Sequence, residues 1–161
     1  AADRAIALDP KLADAVAVKA GLQGLSLSFN PSMSMTLGPE MDEAYGRAEG
    51  MDPDNPRVAF LKALNTMHKP EFVGGGAKRA MAQFEHSIAL FAAQKAGDAR
   101  GFDWGRADAE LWAGRCQLKL GDSTAAKAHY QRALEIDPAN VWVAKVLLPA
   151  LDPNAAGKPG R

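Results

Sequence analysis

The chain has 161 residues, with 19 Lys and Arg against 19 Asp and Glu, so its formal charge is zero. That balance leaves no electrostatic case for a nucleic-acid or anionic-membrane binder, which needs a basic excess. A single cysteine, Cys116, excludes an internal disulfide framework and any multi-cysteine metal site, and no apolar run reaches the roughly eighteen residues of a membrane span.

In chain order, AADRAIALDP lacks a charged region followed by an apolar one, so it is not a signal peptide. It reads as the middle of a helix, with the expectation that an upstream segment, and any targeting signal, has been lost. The compartment, cytoplasmic or periplasmic, does not follow from these residues. A helix pair is expected over about 13–53, with an insert after about residue 26, and a second over about 56–91, with an insert around 69–76. A third insert, 97–106, carries turn residues without a clear period.

The stretch 107–140 has the clearest pattern. ADAELWAGRCQLKL reads as a helix closed by Gly121, and Asp122 or Ser123 can cap the next one. Ala126, Tyr130, Ala133 and Leu134 then form one stripe of a 3.6-residue period. Pro138 keeps Asp137 out of helical angles and stops the helix. The same ending recurs in AIALDP (5–10), AEGMDP (48–53) and ALEIDP (133–138). An aromatic three residues before a small residue recurs as Tyr45/Ala48, Phe84/Ser87 and Tyr130/Ala133, at irregular spacing. VWVAKVLL (141–148) reads as a closing helix with Lys145 as its one charge, and 152–161 as a flexible tail. A terminal cap ought to have a polar outer face. Either this helix folds deeply into the last unit or its outer face, with Val141, Trp142 and Lys145, docks on a partner, a second copy being the expectation.

These residues resemble the tetratricopeptide repeat. Gly114, Gly121, Ala126, Tyr130, Ala133 and Pro138 stand at the family's small, turn, small, aromatic, small and proline positions. Ala63, Ala80, Phe84 and Ser87 in the second unit, and Ala20, Tyr45, Ala48 and Pro53 in the first, match more loosely. Met41 replaces a small residue, Lys19 and Lys62 replace leucines, and the leading Trp is missing. The resemblance implies an all-α solenoid over 1–151: three helix–turn–helix units, a leading half-unit and the C-terminal helix, wound as a right-handed superhelix. Its alanine- and glycine-rich composition and inserts look like a bacterial member.

Catalytic motifs are not found. GGGAKR (74–79) lacks the Ser/Thr and the preceding strand of a phosphate loop and reads as a structural turn. His68, His86 and His129 have no metal-ligand spacing; His86 and His129 are expected at the surface, with His68 able to face the groove. Cys116 reads as a buried inert thiol. No cofactor or metal is expected.

The resemblance places partner binding on a concave groove lined by the first helices, here Arg57, Phe60, Leu64, His68, Asp108, Leu111, Trp112, Arg115 and Lys119. The Lys/Asn clamp that some family members close on a C-terminal carboxylate is absent. The expected function is a non-catalytic scaffold holding a peptide or protein partner. The alternatives are a regulatory or substrate-presenting module of a larger enzyme and a self-associating structural element.

Overall fold

The computed structural model describes residues 1–94 and 104–152. The insert expected at 97–106 therefore lies largely outside the described residues, and so does the tail beyond Asp152. Among the described residues there are seven α-helices and no strand: α1 (Ala2–Leu8), α2 (Ala13–Leu27), α3 (Ser34–Met51), α4 (Pro56–His68), α5 (Ala77–Ala93), α6 (Arg106–Lys119) and α7 (Ser123–Ile136). The fold is an all-α helical-repeat solenoid. Pairs α2–α3, α4–α5 and α6–α7 pack on themselves, α1 leads against α2, and the first helices stand side by side, α2 by α4 and α4 by α6.

The Asp-Pro signal works as one repeated turn. α1, α3 and α7 end at Leu8, Met51 and Ile136, and Asp9, Asp52 and Asp137 leave the helix in non-helical conformations. Three residues on, Leu12, Asn55 and Asn140 each return an N–H to that aspartate's carbonyl. Asn55 goes further and caps α4: its Oδ1 accepts from Arg57 N at 3.0 Å and Val58 N at 3.2 Å, with Pro56 at the first helical position. Asn140 accepts from Val143 N at 3.1 Å in the same way. Leu12 has no side-chain acceptor, so α2 starts without a side-chain cap.

The core is three clusters, each straddling a helix pair and the first helix of the next unit. One joins α2 and α3 to Val58, the second joins α4 and α5 to Ala109, Ala113 and Cys116, and the third joins Leu111, Tyr130 and Ala133 to Val143. Val58, Ala109 and Val143 are equivalent: each lies near the start of the element that opens the next unit and plugs the seam behind it. This nearest-neighbour burial is what makes a solenoid cohere. Ala48, Ala80, Ala126 and Ala133 are fully buried, as small residues at close helix contacts must be.

Departures from the repeat pattern are compensated nearby. Met41 is buried because Gly24 leaves it room: a Cβ at Gly24 would stand 2.9 Å from Met41 Cε. In the third unit Gly114 does the same for Tyr130, whose ring would lie 2.6 Å from an added Cβ, with the Ala126 carbonyl at 3.1 Å. Lys19 and Lys62 turn outward to pair with Asp3 and Glu49 of the preceding helices, both at 2.6 Å.

The closing segment departs from the regular helix expected over 141–148. Val143–Leu147 form a π-helical turn, in which Leu148 N–H reaches Val143 O at 3.0 Å, and Pro149–Leu151 a 3₁₀ turn. Pro149 has no N–H to continue a helix, and the wider turn lets Val143, Leu147, Leu148 and Leu151 all reach the Leu111–Tyr130–Ala133 cluster.

Candidate functional site

One face of α2, α4 and α6 recurs by register. Equivalent residues Val18, Leu61 and Trp112 are half-buried, as are Gly21, Leu64 and Arg115 three residues later; Leu25, His68 and Lys119, four residues further on, are exposed. Spacings of three and four keep these on one helical stripe. Gly114 against Tyr130 seats α6 closely on α7.

On this face four side chains from α4, α6 and the closing segment meet. The Arg115 guanidinium lies 4.5 Å from the Trp112 ring centroid and 5.2 Å from that of Trp142, so it contacts both indoles. The two indoles meet edge-on, with centroids 6.4 Å apart at 65°. His68 meets Trp112 edge-on with centroids 5.7 Å apart, and its Nδ1–H donates to Leu64 O at 2.8 Å. Among the described residues, neither Arg115 nor Lys119 forms an ion pair. Trp142 thus belongs to the same cluster as Trp112, although the sequence had suggested a separate outer face for it. Val141, at 61% exposed, and Lys145 remain open.

Residues 108–140 match the family model described as the tetratricopeptide repeat. Over those residues the chain is similar to a tetratricopeptide repeat. The matched stretch covers nearly all of α6, all of α7 and the turn that follows, which includes Trp112, Arg115 and Lys119. No curated protein and no solved structure matches the chain. The tetratricopeptide repeat is typically a protein-interaction module, and the helix pairs α2–α3 and α4–α5 share its architecture.

Three residues expected in the groove are buried instead. Phe60 and Leu111, equivalent to fully buried Ala17, fill the seams between units. Arg57 is also buried, its guanidinium 5.8 Å from the Phe91 ring centroid and 5.6 Å from that of Trp104. Asp108 is half-buried beside Asp137. Burial first, and the Asp137 charge with it, push its carboxyl above the usual range despite a backbone hydrogen bond from Gly105.

His86 is exposed, as its position suggested, but His129 is not a free surface residue. Its Nδ1 lies 2.7 Å from both Glu110 Oε2 and Arg132 Nη2, and Arg132 Nε donates to the same Glu110 oxygen at 3.1 Å. Burial alone would raise the Glu110 pKa; the hydrogen bonds and charges of His129 and Arg132 outweigh it and hold the carboxyl below its ordinary value. Cys116 is buried with Sγ–H donating to Ala77 O at 3.1 Å, and burial pushes its thiol up.

The glycines of GGGAKR are shaped by packing. A Cβ on Gly75 would fall 2.0 Å from Lys69 O, while Gly76, at φ +102°, donates its N–H to Thr66 O at 2.9 Å. Among the described residues no group of three or more His, Cys, Asp and Glu could hold a metal ion, and no helix is long and apolar enough to cross a membrane.

The sequence reading missed three apolar side chains in the first two units, Phe29 and Phe72 in the connections between helices and Met35 at the start of α3, which stand almost fully in solvent. Lone apolar residues in turn-rich inserts have no periodicity that could have flagged them.

Proposed function

We propose that this chain is a non-catalytic adaptor that holds a peptide or protein partner on the face formed by α2, α4 and α6. The observation that carries this reading is the Trp112–Arg115–Trp142 stack with His68 at its side. Tryptophan and arginine are enriched among the residues that dominate interface energies, and here they stand together across α6 and the closing segment. Stacking orders them before any partner arrives, which reduces the entropy lost on binding. The groove residues of this proposal are therefore Leu64, His68, Trp112, Arg115, Lys119 and Trp142, with Leu61 and Val18 extending the apolar floor.

Affinity capture from the source cell tests it, using wild type and a Trp112→Ala/Arg115→Glu double variant whose helicity and melting temperature are checked. A partner held by wild type and lost by the variant is the expected result. Equal capture by both would remove the site from this face. A second reading, self-association through the closing segment, is favoured by exposed Val141 and Val146; a solution mass that stays monomeric across a concentration series would eliminate it.

A further inference from the structure

Within that groove-binding reading, we infer that the side chain received at Arg115 is a carboxylate: an Asp or Glu inside a partner segment whose neighbouring residues are apolar. Two observations carry this. Arg115 is held against two indoles and, like Lys119 four residues on, has no anionic partner among the described residues. Seen from the guanidinium, the two indoles stand side by side and not on opposite faces, and a guanidinium edge that they do not cover matches a carboxylate bidentately. Lys119 adds a second positive charge on the same stripe, one helical turn away.

The flanks decide where in a partner chain the acid lies. Half-buried Leu61 and Leu64 stand on the neighbouring unit, and exposed Val141 and Val146 stand on the closing segment. The neighbouring unit thus presents apolar surface on the same helical stripe as the cationic spot. An acidic residue within a segment presents apolar neighbours on either side of its charge, whereas a chain terminus has neighbours on one side only. Trp142 makes the closing segment part of this receptor: the turn that seals the last seam also supplies one wall of the arginine's stack.

The test uses three labelled peptides of equal length and reads fluorescence anisotropy, with tryptophan emission as a second signal. One alternates Leu and Glu and is capped at both ends. The second has Gln for every Glu, and the third is the Gln peptide with a free C-terminal carboxylate. The expected result is roughly tenfold tighter binding of the Glu peptide than of its Gln twin by wild type. Arg115→Gln should abolish that preference, and Trp142→Ala should reduce it. Arg115→Lys, which keeps the charge without the planar fork, should keep only part of it. Equal affinity for the Glu and Gln peptides, or no binding of either, overturns the inference. Preference for the free terminus overturns it in favour of chain-end recognition. A dimer that Arg115→Gln dissolves overturns it in favour of a second copy. The two readings fail separately: a captured partner lost on Trp112→Ala but kept on Arg115→Gln leaves the groove standing without the carboxylate. Retention by both single variants rejects both.

Discussion

At the scale of single residues, the strongest interactions lie where a buried polar group meets partners from another helix. Glu110 on α6 is 5% exposed and contacts His129 and Arg132 of α7. Its folded-state pKa lies below the ordinary value, so the stabilisation is present above the unfolded pKa and is lost as pH falls through the folded one. Glu110→Gln should cost about 1–3 kcal/mol at neutral pH by leaving buried groups poorly matched. Urea unfolding at a series of pH values checks this: wild type and variant should converge in acid. A gap that stayed constant would mean that shape, and not charge, sets the cost. Asp108 has the opposite sign, since its raised pKa makes the charged form a liability that grows as pH rises.

At the scale of elements, close approach of helices depends on a few small residues, and Gly114 is the tightest of them. Its missing side chain admits the Tyr130 ring, which is fully buried between α6 and α7. Gly114→Ala forces that ring to move and should destabilise the pair by about 1–3 kcal/mol, the usual cost of overpacking. Ala133→Leu should cost a similar amount on the other side of the same ring, where α7 meets the closing segment. Thermal unfolding measures both. A neutral Gly114→Ala would mean that Tyr130 has room to rotate, and the seating of Trp112 and Arg115 by this contact would have to be abandoned.

At the scale of the whole molecule, each unit is stabilised by its neighbours, and the last by the closing turn. Val143 is fully buried in the seam behind α7, which corresponds to roughly 1.5–3 kcal/mol for one side chain. Ending the chain at Asn140 should therefore loosen α6 and α7 while leaving α2–α5 protected, because solenoid units contact only their neighbours. Native-state hydrogen exchange reads this directly, and a uniform loss of protection along the chain would contradict it. The same truncation removes Trp142, so it should also weaken partner capture.

The sequence by itself determined the repeat. Asp-Pro endings, a capping Asp122 or Ser123 and a stripe of small and aromatic residues are local signals, each acting within a few residues of chain, and they pointed to the helix ends at α3 and α7 and to the pair α6–α7 with its turn. The expectation that Trp112, Arg115, His68 and Lys119 share a face came from the resemblance, and their spacing is compatible with one helical stripe. Tertiary structure decided what that face contains. Phe60, Leu111 and Arg57 share its register but are covered by adjoining helices, and burial depends on how closely units stack, which spacing does not encode. His129 found Glu110 across a helix pair for the same reason. Trp142 joined Arg115 only because a π turn, constrained by Pro149 and packed on the Leu111–Tyr130 seam, sets the closing segment against α6. Local backbone preferences are written along the chain; contacts between units arise from the summed packing of side chains far apart in it.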